Sequence, residues 1–544
     1  MKHAAIAALG AFLLASLATS VSAANQNGQR YLIGFNAGNR AALVQSIESN
    51  GGRIVFELKN VSGLVADLPA GALNAVRRSG KATSIEADGI RQLHAHLPDF
   101  TNEFIPWGVL AVRADNVWST NPAANTPAVQ PGSVAGGGTV VGVLDTGIDF
   151  GHPDLAANII DDRGSGVIRD FIDGDDDASD PVDPLATIRG HGTSSASVIA
   201  SVDNAVGVIG VAPKTRVRPY RICFADQTRG CPLSAIIGGL DQAITDGVDV
   251  INMSIGGSAG FNLEASAVQA ANSHGIVVVA SAGNESTQKP SFPAAYDTVL
   301  AVGAIDIQNN PASFTNTGGW VDVTGPGVDV PAATVRGEGQ DAFATVNSGA
   351  TLTLDPNPLS GSALGSRTAD VVYAGLATEA DIATFCAANA CAGKIALISR
   401  GAITFAEKVT RAEAAGAVGT IIFNNVPGNF FGTLGTSPST FPSISISQEQ
   451  GTALRTAVQA GTVNVTIEVT ATDYDLVSGT SFSAPHVAGI AALVRSANQN
   501  LSPIDVRKII QSTAIDLGAP NRDNVFGWGL ANAEAAVAAA LAAQ

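Results

Sequence analysis

Residues 139–149 read Thr139-Val140-Val141-Gly142-Val143-Leu144-Asp145-Thr146-Gly147-Ile148-Asp149. An uncharged run rich in β-branched residues stops on a carboxylate and a Gly-containing turn. That is the pattern of a buried strand delivering an acid to the carboxyl edge of an open sheet, where such sheets bind their ligands. Further apolar runs follow at 198–201, 215–221, 248–252, 276–281 and 298–302, with helix-length segments at 233–246 and 263–274 between them. The alternation predicts an α/β fold, a doubly wound parallel sheet covered by helices on both faces. It pauses after Gly325-Pro326-Gly327 and resumes near Ser478. The stretch between is rich in Thr, Ala and Gly, with strands predicted at 394–399 and 419–423 around a helix at 405–415, and reads as a domain inserted into a loop. Before the sheet, strand patterns at 30–35 and 53–58 alternate with helical ones at 40–49 and 70–79. They form a small α/β unit ending near Ile90.

A chain of 544 residues has room for several domains, and 46% hydrophobic against 14% charged residues excludes wholesale disorder. With 30 Lys and Arg against 47 Asp and Glu, the formal net charge of −17 has the wrong sign for a polyanion partner. Nucleic acid and anionic membrane surfaces are therefore not expected. The first 104 residues carry nine basic and seven acidic residues, so a weakly basic N-terminal unit precedes a strongly acidic body. Lys2 and His3, an apolar run over 4–17 and the small residues Val21-Ser22-Ala23 read as a secretory signal, residues 1–23. No later run approaches the length of a membrane span, so a secreted protein is expected, with the periplasm as the alternative. In an exported chain four cysteines can pair in three ways. They fall into two close couples, Cys223 with Cys231 and Cys386 with Cys391, and two local disulfides are the simplest reading. A metal site would need closer CxxC spacing and partner histidines.

Three motifs carry chemistry. Asp145 ends its strand; Gly190-His191-Gly192-Thr193 puts an imidazole between glycines at the start of a predicted helix; Ser478-Gly479-Thr480-Ser481 puts a hydroxyl at a turn opening an apolar helix. A serine becomes a nucleophile only beside a base, and the base needs a carboxylate to fix its tautomer and stabilise its charged form. Asp145, His191 and Ser481 supply these roles in the order Asp, His, Ser, one of the chain orders in which such triads occur. Asn284, in Val279-Ala280-Ser281-Ala282-Gly283-Asn284, can aim a side-chain amide at the developing oxyanion alongside the Ser481 backbone N–H.

Together these motifs resemble the subtilisin-like serine proteases, over 138–327 and again from Ser478 to about Val537. The resemblance implies a self-processing serine endopeptidase with Asp145, His191 and Ser481 as triad and Asn284 as oxyanion donor, and no cofactor for catalysis. It implies polypeptide substrates that pair with an edge strand at Ser254, Ile255 and Gly256, and a first specificity pocket walled by Ala280, Ser281, Ala282 and Gly283. Those small apolar walls imply an uncharged, hydrophobic residue before the cleaved bond. Ser194 and Ser195 stand where the family usually has His-Val, and Phe482 where it usually has Met. Residues 24–104 resemble the family's inhibitory propeptide, a ferredoxin-like α/β unit acting as intramolecular inhibitor, with cleavage between about Gln92 and Phe104. Residues 393–401, Phe405, Lys408 and 415–425 resemble a protease-associated (PA) domain, placed at 335–474, which gates or extends the substrate groove or else only spaces it. The catalytic domain is then split into 105–334 and 475–544, in a protein expected to be a monomer.

Seven aspartates crowd between Asp170 and Asp183. Asp170, Asp173, Asp175 and Asp177 are candidate ligands for a structural Ca2+, which takes six to eight oxygens. Ala178 and Pro184 exclude an EF-hand, and a solvated acidic loop is the alternative. His152 and His486 are read as structural, and His94, His96 and His274 sit in no catalytic motif.

Overall fold

A computed structural model of the chain describes residues 29–57, 62–87, 102–119, 129–181, 190–226, 229–435 and 437–544. The signal segment, His94, His96, Asp183 and most of the expected propeptide cleavage region lie outside the described residues. Among the described residues no helix is long and apolar enough to cross a membrane.

The described residues before 94 form one compact unit. Its sheet runs Arg53–Glu57, Gly63–Leu68, Gln29–Phe35, Ala82–Ala87, with antiparallel neighbours throughout. The helices Arg40–Ser49 and Ala70–Ser79 bury Leu43, Ile47, Ala72 and Val76. This is the α/β unit expected from the sequence, with Gly63–Leu68 and Ala82–Ala87 as strands the reading did not single out.

The second unit, 94–544, is built on a six-stranded parallel sheet. Its order is Val323–Pro326, Val299–Ile305, Val277–Ser281, Val250–Met253, Val140–Asp145, Arg216–Arg221. Alternation of side chains along each strand makes two cores. Val141, Val143, Val277 and Val279 face one, with Ala488 and Ala491 from the Thr480–Ala497 helix; Leu144, Val278 and Ala280 face the other, with Leu240 and Val268 from the helices Leu233–Asp246 and Asn262–Ser273. Burial on both faces explains why these strands read as continuous apolar runs.

One expected strand is corrected. Residues 198–201 close the helix His191–Ala200 and its C-cap, in which every residue after His191 is buried. A fully buried helix shows no polar face, so a short apolar run at its end carries no period by which to tell it from a strand.

The chain leaves this body through Val330–Ala333 and returns through Tyr474–Val477, paired antiparallel, and the pair continues as Gly339–Ser348 against Asn464–Thr472. These last two strands belong to an eight-stranded mixed sheet that also contains Ile395–Ser399 and Gly419–Phe423, with the helix Phe405–Ala414 between them. Capping boxes at Thr378, Thr404 and Ser447 start its three α-helices, each tying a first-turn backbone N–H to the cap residue.

Candidate active site

The strand Val140–Asp145 carries Asp145 to the sheet's carboxyl edge, where the side chain is 1% exposed. Its Oδ1 accepts the Thr146 N–H at 2.8 Å and lies 2.7 Å from His191 Nδ1. Its Oδ2 accepts the Ser195 hydroxyl at 3.3 Å. With Nδ1 occupied, the imidazole presents Nε2 to the cleft. Gly192 permits the approach: a Cβ there would lie 2.1 Å from the Gly147 carbonyl oxygen, so a side chain would push the histidine helix off the aspartate turn. Burial acts to lower the His191 pKa, but the charge and hydrogen bond of Asp145, with Asp180 nearby, win and raise it. Asp180 accepts both the N–H and the hydroxyl of Thr193, and burial pushes its carboxyl up to about 7.

Ser481 stands at the N-terminal end of the Thr480–Ala497 helix, where backbone N–H groups are unspent and the dipole end is positive. Its hydroxyl donates to the Ser254 carbonyl at 3.1 Å. The Ser254 hydroxyl in turn donates to the Ser481 carbonyl at 2.6 Å and is itself held by Asn252 Nδ2 at 3.0 Å. The turn bearing Ser481 is thus clamped to the edge segment that begins at Ser254. The Phe482 ring packs 5.3 Å from the imidazole, an apolar wall on the triad.

Asn284 is oriented by its oxygen, which accepts the Thr480 N–H and the Thr480 hydroxyl, both at 2.9 Å. Its Nδ2 is left to the cleft. A Cβ on Gly479 would lie 3.4 Å from Asn284 Nδ2 and 3.6 Å from the Ser481 nitrogen, so the two donors lie near one point. That is the arrangement an oxyanion requires.

A cavity of about 390 Å³ opens beside Asp145 and His191 and is lined by Ser254, Ile255 and Gly256. The other expected pocket residues are not among those lining this cavity. Ala280, Ser281 and Ala282 are buried behind the edge segment, with the Ser281 hydroxyl on the Ile255 carbonyl at 3.3 Å, and Gly283 donates to the Thr480 hydroxyl at 3.0 Å. Both local disulfides are present, Cys223–Cys231 and Cys386–Cys391. Cys223 and Cys231 also line the cavity.

The four candidate calcium ligands do not gather around a common point. Asp170 and Asp173 both bond the Arg221 guanidinium. Asp175 accepts the Asp177 N–H, and Asp177 accepts from Ser179. Among the described residues no group of three or more His, Cys, Asp or Glu side chains could hold a metal ion. The cation between Asp170 and Asp173 is an arginine, so these residues do not fit Ca2+.

His152 is buried, with Nε2 on the Asp473 carbonyl at 3.0 Å, and His486 is buried with Nδ1 on the Phe482 carbonyl at 2.7 Å. Burial pushes the His486 pKa down to about 4, so it is neutral at working pH. The sequence reading gave no weight to Ser195 or to the clamp made by Ser254. A polar residue four positions after the histidine, on the same helical face, is the signal that could have marked Ser195. It also passed over the buried Asp154 and the half-buried Glu103, both bonded to Asn204, whose carboxyls desolvation pushes up to about 6 and about 7.

The model of the Subtilase family matches residues 136–362 and 430–529, and that of the PA domain matches 367–454. Subtilisin E of Bacillus subtilis (strain 168) is 32% identical over 329 residues, 59% of this chain and 77% of the relative. An alkaline protease of Alkalihalobacillus alcalophilus is 32% identical over 368 residues, 64% of this chain and 87% of the relative. The crystal structure of a psychrophilic subtilisin-like protease, Apa1, from the Antarctic psychrotroph Pseudoalteromonas sp. AS-11 superposes with a TM-score of 0.55 at 27% identity, covering 80% of this chain and 98% of that one.

Proposed function

The chain belongs to the subtilase family and is a serine endopeptidase carrying a PA domain, and from that premise we propose that it is secreted and self-processing and cleaves extended polypeptides with Asp145, His191 and Ser481. The observation that supports the residue assignment is the 2.7 Å contact of His191 Nδ1 with a buried carboxylate, on an imidazole whose ring lies 5.3 Å from that of Phe482, the residue after Ser481.

In the proposed reaction the substrate strand pairs with the backbone of Ser254, Ile255 and Gly256, as β-strand addition does elsewhere. Ser481 Oγ attacks the scissile carbonyl carbon while His191 Nε2 takes its proton. Asp145 holds the imidazole and offsets the charge it gains without taking the proton itself. The tetrahedral oxygen lies between the Ser481 N–H and Asn284 Nδ2. His191 returns the proton to the departing amine nitrogen, the C–N bond breaks, and an acyl enzyme remains. Water then attacks the ester by the same proton route and regenerates the Ser481 hydroxyl.

The basic N-terminal unit would serve as folding aid and intramolecular inhibitor until cleaved, with its opposite charge balance aiding association with the acidic body. The PA domain would gate or extend the groove. Small apolar residues near the nucleophile favour an uncharged hydrophobic side chain before the cleaved bond. Labelling the purified exported protein with a fluorophosphonate tests the reading. One adduct on Ser481, on a chain beginning between about residues 93 and 105, is expected; a folded, matured chain that takes no label would overturn it.

A further inference from the structure

The cavity beside the triad does not end at the edge segment. Besides His191, its lining includes Gly256, Gly257, Phe261, Phe292, Glu264, Leu233, Ile236 and the Cys223–Cys231 bridge. In this apolar surround Glu264 is the one carboxylate away from the triad, and it is 3% exposed. Its hydrogen bond comes from the Tyr296 hydroxyl at 2.7 Å, and no lysine or arginine pairs with it among the described residues. A buried carboxylate with a single neutral donor is costly in its charged form, and burial raises its pKa accordingly. Its place in the first turn of the Asn262–Ser273 helix eases the charge, yet that role would be served as well by a carboxylate turned to solvent.

We infer that this cavity receives one side chain of the substrate strand and that Glu264 makes it favour an apolar shank ending in a hydrogen-bond donor, lysine or arginine, over an aliphatic chain of equal length. The inference rests on the endopeptidase reading above and names a specificity residue for it. Strand pairing along Ser254–Gly256 sends alternate side chains to one side, which is how a residue removed from the scissile bond reaches the cavity. The shank would lie against Leu233, Ile236 and the disulfide, and the incoming donor would give Glu264 the partner it lacks. The Cys223–Cys231 bridge thus becomes a wall of the site as well as a staple of the loop.

The experiment compares kcat/KM of the mature enzyme on peptides sharing one reporter. Each position upstream of the cleaved bond is replaced in turn by lysine, arginine, norleucine and leucine. At one position lysine and arginine should exceed norleucine by about tenfold, the scale of a buried polar group gaining its partner. Glu264→Leu should reverse that order, and Glu264→Gln, which keeps an acceptor for Tyr296, should remove most of the advantage without unfolding the helix. Norleucine equal to or better than lysine at every position in the native enzyme would overturn the inference, as would a lysine preference surviving in Glu264→Leu. Fluorophosphonate titration separates the two readings. A native enzyme that takes the label and cleaves peptides without the preference loses only the pocket assignment, whereas one that does neither loses the endopeptidase assignment as well.

Discussion

Asp145 and Asp170 are equally buried, each 1% exposed, and each touches a nitrogen base at hydrogen-bond distance, 2.7 Å to His191 and 2.6 Å to Arg221. The difference lies in the partner. A guanidinium keeps its proton at any working pH, so the charge facing Asp170 is permanent and the pair can only hold shape. An imidazole gains and loses its proton near neutrality, so the charge facing Asp145 can come and go, as the proposed reaction requires. The surroundings follow the same division. Around the acidic loop the acids are matched, Asp170 and Asp173 by Arg221, Asp162 by Arg218, and Asp246 by Arg169. Around the cleft, donors are held in place and left unspent, the Ser481 N–H and Asn284 Nδ2 above all.

The comparison breaks most sharply at the nucleophile. Ser481→Ala should lower kcat/KM by about 10⁴-fold or more while leaving Tm nearly unchanged, because the hydroxyl donates only to one backbone carbonyl. It should also accumulate as unprocessed precursor in a host lacking other proteases. Retained hydrolysis after active-site titration would move the chemistry off Ser481. Asn284→Ala comes next, with a loss of about 10²–10³-fold in kcat and little change in KM, since the donor acts on charge that exists only in the transition state. A loss confined to KM would place Asn284 in ground-state binding.

On the loop side the expected signs exchange. Arg221→Ala leaves Asp170 buried and unpaired, which costs about 3 kcal/mol and lowers Tm, with kcat unaffected. Denaturant melts and steady-state rates on the same preparation check both halves. A fall in kcat without a fall in Tm would show that the loop reaches into the reaction.

The pH profile reads the cleft alone. The raised pKa of His191 means that its neutral, base-competent form is lost at a higher pH than for an ordinary imidazole. The acid limb of kcat/KM should therefore lie above 6.5, the unperturbed value, and Asp145→Asn should move it down. The pair's contribution to stability runs with the sign of a raised base: present below the ordinary imidazole pKa, and lost as pH rises through the folded one. An acid limb at or below 6.5 in the native enzyme would mean that burial outweighs Asp145.

The parallel sheet was legible because strands buried on both faces announce themselves as apolar runs, and 140–145, 216–221, 250–253, 277–281 and 299–305 have both ends within three residues of their expected places. The same rule produced the error at 198–201, where a helix buried all round has no polar face to betray its period. Asp145, His191, Ser481 and Asn284, the proposed site, were singled out because each sits in a short motif whose glycines mark close approach, and the fold sets His191 on Asp145 and Asn284 on Thr480. What depends on partners distant in sequence was not. Nothing at Ser254 announces that it will clamp a turn 227 residues away. Cys223 and Cys231 read as a staple, and only the fold turns the bridge toward the cavity. The aspartate crowd read as a cation site because its cation, Arg221, lies 48 residues beyond Asp173 on another strand.

That last point carries the smallest predicted effect and the finest test of the comparison. Asp175 and Asp177 are exposed and accept only local hydrogen bonds from their own loop. If the loop is held together by arginines, Asp175→Asn with Asp177→Asn should change stability by no more than about 0.5 kcal/mol, the scale of surface substitutions. Any response of Tm to a chelator should be the same in the double variant as in the native chain. If instead a cation drew these carboxylates inward, the double variant would melt lower in the presence of Ca2+ and lose its response to chelation. Asp170 would then be sharing its charge with a metal as well as with Arg221, and the contrast with Asp145 would be one of two electrostatic devices rather than of structure against chemistry.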